Sequence, residues 1–127
     1  MTHLCVAIFV HDIAQAKRDI AAAAEAGADM VELRVDSFDD EAGLRELIER
    51  AVLPCIVTRR PSWEGGHCEL PEDQRRGLYQ STAVFGAAYL DIELETYKQM
   101  PEAEKDKILR PFILSKHDFA GRPPTLS

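Results

Sequence analysis

Charged side chains alternate with apolar ones in stretches that otherwise read as buried strands. In Val31-Glu32-Leu33-Arg34-Val35-Asp36, an extended backbone puts Glu32, Arg34 and Asp36 on one face and the valines and leucine on the other. Asp91-Ile92-Glu93-Leu94-Glu95 repeats the pattern, with Asp91, Glu93 and Glu95 sharing a face. A buried charge costs several kcal/mol unless it is paired, so each row demands partners or solvent. An edge strand with one solvated face would also carry such rows. Between them, Thr58-Arg59-Arg60 ends another apolar run, and Glu64 stands four residues on, before Gly65-Gly66. Forked arginine donors suit a carboxylate or a polyol, and glycines let backbone approach a ligand. A solvated surface loop reads that segment equally well. Finally, Ser115-Lys116-His117-Asp118-Phe119 closes a fifth apolar run with a histidine, the side chain best suited to moving protons near neutral pH. Lys116 falls on the opposite side from His117 under strand alternation and reads as an outer, solvated residue. The carboxylates near Asp91 could pair with the arginines of the preceding run or orient a histidine.

These residues need elements to hold them. Leu4 to Val10 is continuous and β-branched, as in a strand buried on both faces. Asp12 is a candidate N-cap for a helix through Ala26, stopped by Gly27. A strand is predicted over Met30 to Val35, then a helix from about Asp40 to Ala51 with Leu44, Leu47 and Ile48 on one face. Pro54 to Thr58 reads as a strand, about Pro71 to Phe85 as a helix, Tyr89 to Leu94 as a strand, Glu102 to Leu109 as a short helix, and Pro111 to Ser115 as a fifth strand. Strand and helix alternate throughout, which predicts parallel strands with helices outside. In such sheets the working residues gather at the C-terminal strand ends. No G-x-G-x-x-G follows any strand, so a Rossmann-type phosphate loop is not expected. Periodicity leaves a flavodoxin-like sheet and a partial barrel both open.

With 127 residues, 46% hydrophobic and 29% charged, the chain has the balance of one soluble globular domain. A net charge of −7 argues against nucleic acid or an anionic membrane as partner, though a few arginines in a cleft can still hold an anionic small molecule. The longest apolar run, Leu4 to Val10, is too short for a span of about 20 residues. Cys5, Cys55 and Cys68 are odd in number and lack CxxC spacing, which predicts reduced thiols and a cytoplasmic protein. His67 and Cys68 are adjacent and have no second ligand pair, so no metal site is expected. His3 and His11 read, with His67, as terminal and loop residues.

Four segments together resemble type I 3-dehydroquinate dehydratases, in the family's order and spacing. Val31 to Asp36 is similar to its E-x-R-x-D strand, and Val57-Thr58-Arg59-Arg60-Pro61-Ser62-Trp63-Glu64-Gly65-Gly66 to its T-x-R…E-G-G segment. Tyr89 to Leu94 resembles its D-x-E-L strand, and Ser115 to Phe119 its S-x-H-D-F segment. The second segment is closest to the versions fused to shikimate dehydrogenase. The resemblance implies an α/β fold, a partial (β/α)8 TIM barrel of about five parallel strands with outer helices. It implies dehydration of 3-dehydroquinate to 3-dehydroshikimate in the shikimate pathway, through a lysine Schiff base and without metal or dissociable cofactor. His117 would be the proton shuttle and Glu64 the carboxylate beside it. Glu32, Arg34 and Arg60 would hold the substrate's hydroxyls and carboxylate.

The family's lysine lies on the strand after the histidine strand. The chain is therefore expected to be the N-terminal portion of a single barrel domain, inactive alone, since a whole barrel takes about 250 residues. Two unpaired edges, at Leu4–Val10 and Pro111–Ser115, lead us to expect self-association. The competing expectation is a catalytically dead half-barrel that binds or assembles.

Overall fold

In the computed structural model, residues 3–116 are described. Five strands form one sheet: β1 (Cys5–Phe9), β2 (Met30–Arg34), β3 (Cys55–Thr58), β4 (Tyr89–Glu93) and β5 (Phe112–Ser115). Every neighbouring pair is parallel, and the spatial order is β1-β2-β3-β4-β5. A flavodoxin-like sheet would carry β1 inside the sheet, in the order 2-1-3-4-5. Here β1 lies at the edge and each crossover advances one strand in the same direction. With right-handed crossovers this puts all the helices on one face, as in the wall of a (β/α)8 barrel.

Strand alternation then divides the sheet. Val31, Leu33, Val35, Val57, Leu90 and Ile92 face the helices and are fully buried. They form the core with Ala16 and Ile20 of α1 (Ile13–Glu25) and Leu44, Leu47 and Ile48 of α2 (Glu41–Arg50). The α1 helix starts where expected because Asp12 and Gln15 form a capping box: the Asp12 carboxylate accepts the Gln15 backbone N–H at 2.8 Å, and the Gln15 side-chain Oε1 accepts the Asp12 backbone N–H at 3.3 Å. Asp40 caps α2 by accepting the Gly43 N–H at 2.9 Å.

Three sequence expectations need correction. The helix predicted from Pro71 to Phe85 is only one turn long, α3 (Glu72–Arg76), followed by 3-10 turns at Gly77–Gln80 and Thr82–Val84. Gly77 weakens the helix, and the Ser81 hydroxyl takes the Ala83 N–H at 3.1 Å to begin a new turn. The broken path still buries Leu78, Tyr79, Ala83 and Val84 against the core. Second, Glu95 is not on a strand. The chain turns directly from β4 into α4 (Leu94–Gln99), so period-two alternation stops at Glu93, and Glu95 pairs with Lys98 at 3.7 Å on the surface. Third, the helix expected to reach Leu109 is a single turn, α5 (Glu102–Lys105).

Candidate active site

The sheet face opposite the helices carries Glu32 and Arg34 from β2, Thr58 from β3, Asp91 and Glu93 from β4, and Ser115 from β5. Register brings these residues side by side, because Arg34 lies opposite Thr58, Thr58 opposite Asp91, and Glu93 opposite Ser115. Arg60, two residues beyond Thr58, keeps the same alternation and points onto this face. Its Nη1 donates to Glu93 at 2.7 Å, to Asp91 at 3.2 Å and to the Ser115 hydroxyl at 3.1 Å, and its Nη2 donates to Asp91 at 3.2 Å. Glu32 lies 4.0 Å from the same guanidinium and accepts the Thr58 hydroxyl proton at 2.7 Å. Burial alone would make the Arg60 cation easier to deprotonate. The Asp91 hydrogen bonds and the charges of Asp91, Glu93 and Glu32 reverse that and raise its pKa. Arg60 is therefore a fixed cation among carboxylates.

Arg34 reaches across its own strand end to Asp36, with Nη2 at 2.7 Å and Nε at 3.3 Å, and its guanidinium lies 4.9 Å from the Phe9 ring centre. Asp36 does more than balance that charge. One of its oxygens accepts the Arg60 N–H at 2.8 Å and the other the His67 N–H at 3.0 Å, clamping both ends of the loop after β3. The loop closes on itself: Cys68 N–H donates to Arg60 C=O at 3.0 Å, and Gly66 N–H to Pro61 C=O at 2.9 Å. Gly65 has φ +80°, and a Cβ at Gly66 would collide with the Arg60 carbonyl, so the glycine pair serves the turn itself. Glu64 ends the 3-10 turn Ser62–Glu64 inside this loop and is buried, with 5% of its surface exposed.

Of the sequence-derived candidates, Glu32, Arg34 and Arg60 thus gather at the C-terminal ends of β2 and β3, and Glu64 is buried in the loop that follows β3. His117 lies outside the described residues. Arg59, the other member of the arginine pair, turns away and donates to the Val35 and Phe38 carbonyls at 3.3 and 3.0 Å, which pins the loop after β2. Lys116 is exposed. Among the described residues no cluster of histidine, cysteine and carboxylate ligands could hold a metal ion.

Arg75 was not foreseen from the sequence. It is completely buried and meets the other oxygen of Glu93 at 2.8 Å. One signal was available: Leu78 and Tyr79 stand three and four residues on, so a helical turn places Arg75 on their apolar face.

The family model of type I 3-dehydroquinase matches residues 4–126. The chain belongs to this family. A 3-dehydroquinate dehydratase of Methanothermobacter thermautotrophicus is 35% identical over 124 residues, covering 96% of this chain and 55% of the relative. The bifunctional chloroplastic 3-dehydroquinate dehydratase/shikimate dehydrogenase of Arabidopsis thaliana is 31% identical over 125 residues, 94% of this chain and 21% of that protein. Among solved structures, the 3-dehydroquinate dehydratase of Geobacillus kaustophilus superposes with a TM-score of 0.79 at 22% identity, covering 97% of this chain and 52% of its own. The Aquifex aeolicus enzyme gives 0.72 at 27% identity, over 97% of this chain and 56% of its own. The chain spans about half the length of its archaeal and bacterial relatives. In this type I 3-dehydroquinase segment, the charged face is the inner wall of the barrel, and its clustered strand ends are the mouth where barrel enzymes work.

Proposed function

We propose that these residues form the first five strands of a 3-dehydroquinate dehydratase barrel, a lyase that removes water from 3-dehydroquinate to give 3-dehydroshikimate in aromatic amino acid biosynthesis. Family membership supports the reading, and one observation carries it: Glu32, Arg34 and Arg60 lie together at the C-terminal end of a parallel sheet, linked through Asp36 and Thr58. Glu32 and Arg60, with Thr58 and Ser115 beside them, offer acceptors and donors for a polyhydroxylated ring. Arg34 and Arg60 supply the positive charge for its carboxylate.

The elimination runs through a lysine amine that condenses with the substrate ketone, releasing water and leaving an iminium that acidifies the neighbouring C–H. His117 takes that proton, the resulting imidazolium gives it to the departing hydroxide, which leaves as water, and hydrolysis of the iminium then frees the product and restores the lysine amine. By the resemblance, Glu64 would be the carboxylate that tunes this histidine. The imine is the electron sink, so the scheme calls on no metal. The five lysines of the chain are Lys17, Lys98, Lys105, Lys107 and Lys116. Lys17 and Lys98 are in α1 and α4, Lys105 and Lys107 are at and just after α5, and Lys116 follows β5. None is on the inner wall, so none of the five is assigned the Schiff-base role.

The test is borohydride trapping with 3-dehydroquinate, read by mass spectrometry on these 127 residues and on the product of the full reading frame. The expected result is a reduced adduct on the latter alone, together with formation of the conjugated enone product. An adduct at Lys116 would overturn the assignment of the lysine. Absence of adduct and turnover in both would leave the chain as the binding half-barrel, a reading favoured by an inner wall that holds arginines and carboxylates without a lysine. Three free cysteines fit a reducing, cytoplasmic setting, and no described helix is long and apolar enough to cross a membrane.

A further inference from the structure

Resting on the dehydratase reading for what Arg60 binds, we propose that Arg75 is a positioning residue that sets the Arg60 guanidinium through Glu93. Glu93 is completely buried, and its two oxygens face different cations: one accepts from Arg75 Nη1 at 2.8 Å, the other from Arg60 Nη1 at 2.7 Å. A carboxylate held on one oxygen can pivot about its terminal torsion. Here the Thr96 hydroxyl adds a second bond, at 3.2 Å, to the oxygen that Arg75 holds, so the remaining oxygen is aimed at Arg60.

Arg75 is itself over-determined. Glu72 accepts from its Nε at 2.5 Å and its Nη2 at 3.1 Å, Thr96 accepts from Nη2 at 2.7 Å, and the Trp63 ring centre lies 5.8 Å from the guanidinium. Its Nη1 also donates to the Tyr79 hydroxyl at 3.4 Å, but the bond to backbone is the informative one. Arg75 Nη1 donates to the Arg59 carbonyl at 3.0 Å, the peptide group that leads into Arg60. Arg75 thus grips Arg60 twice, through the backbone before it and through the carboxylate that meets its guanidinium, without itself bonding to Glu32, Asp91 or Ser115. A buried ion pair is a poor source of net stability, because desolvation cancels most of the attraction. Its geometric effect is to limit Arg60 to one orientation before substrate arrives, which lowers the ordering cost of binding.

The experiment uses the full-reading-frame protein and two variants, R75K and the milder T96V, each checked for a native circular dichroism spectrum. Nitrogen-15 NMR of the guanidinium groups, without substrate, is expected to show separate, slowly exchanging Nη signals for Arg60 in the parent. Both variants should broaden or merge them while Arg34 is unchanged. Unchanged Arg60 signals in either folded variant would overturn the proposal. In kinetics, R75K should raise KM for 3-dehydroquinate about tenfold with kcat within about a factor of two, because it loosens a binding group and leaves the chemistry intact. In an R60K background the same substitution should add little, as expected of residues acting in series. Full additivity of R75K and R60K would also overturn the proposal. A parent protein without turnover would sink the dehydratase reading alone, since the Arg60 signals are read in the absence of substrate.

Discussion

Glu93 has no exposed surface, and its carboxylate is held between Arg60 at 2.7 Å and Arg75 at 2.8 Å. Glu93→Ala would leave two buried cations short of a counter-charge, a loss of about 3–5 kcal/mol in denaturant unfolding. Glu49→Ala, which breaks the exposed Arg45–Glu49 pair at 3.0 Å, should cost under about 0.5 kcal/mol. Equal losses would mean the buried network is no more than a surface pair. Cys5 gives an independent probe of the same wall. Its thiol pKa is raised, first by partial burial and then by the charge of Glu32. Removing that charge lowers the pKa and increases the thiolate fraction, so Glu32→Gln should speed alkylation of Cys5 at pH 8 by about a factor of two. Cys55, pushed up to about 11 by burial, should stay unlabelled in both proteins. A labelling rate at Cys5 that ignores Glu32 would separate the two side chains. The charged rows were legible in the sequence because alternation and apolar neighbours forced Glu32, Arg34, Asp91 and Glu93 inward. Pairing of the Asp91 row with the arginines of the preceding run was open to the same reading, but the Arg75–Glu93 pair was not, since it spans 18 residues and Arg75 reads locally as one more charge in a polar stretch.

At the scale of elements, long apolar runs and caps read true, and the misreadings fall where a local polar group competes with the pattern. Asp12 and Asp40 fixed two helix starts, whereas Ser81 and Gly77 broke a helix that periodicity alone would continue. Glu95 was assigned to a strand because its spacing from Asp91 and Glu93 is even, and nothing in that spacing marks the abrupt turn into α4. The loop after β3 was open between a ligand cradle and a solvated surface segment. It is a closed turn whose glycines and Asp36 clamp hold Arg60 in place. Two glycine substitutions test that distinction. Gly66→Ala drives a methyl group into the Arg60 backbone and should destabilise the fold by more than about 1 kcal/mol while weakening substrate binding. Gly77→Ala meets nothing within 4 Å at a helical φ of −57°, so it should stabilise by about 0.4–1 kcal/mol and increase the helical signal. Thermal unfolding of both, with circular dichroism, reads the contrast. A neutral Gly66→Ala would mean that the loop is looser than its hydrogen bonds imply.

On the scale of the whole molecule, the described sheet ends in two strands whose outer edges have no neighbour. Beside β1 and α1 a groove of about 660 Å³ runs along Val6, Ile8, Phe9, Ala22 and Ala23. At the other edge, Ile113 and Leu114 are 41% and 45% exposed, although their register partners Asp91 and Ile92 are well covered. Leu114 sits on the helix side of the sheet next to buried Ile92, so its exposure marks a place that barrel architecture ordinarily covers with another unit. Unpaired parallel edges backed by apolar side chains invite another strand. Residues 1–127 expressed alone should therefore self-associate, with a light-scattering mass that rises with concentration. Leu114→Lys places a charge at the exposed outer position without disturbing the inner wall and should shift the protein toward monomer, at a stability change within about 0.5 kcal/mol. The same substitution in the full-reading-frame protein should instead be destabilising, because there the position would be packed. A stable monomer from residues 1–127 at high concentration, or no effect of Leu114→Lys in either setting, would show that these edges are already satisfied within the chain.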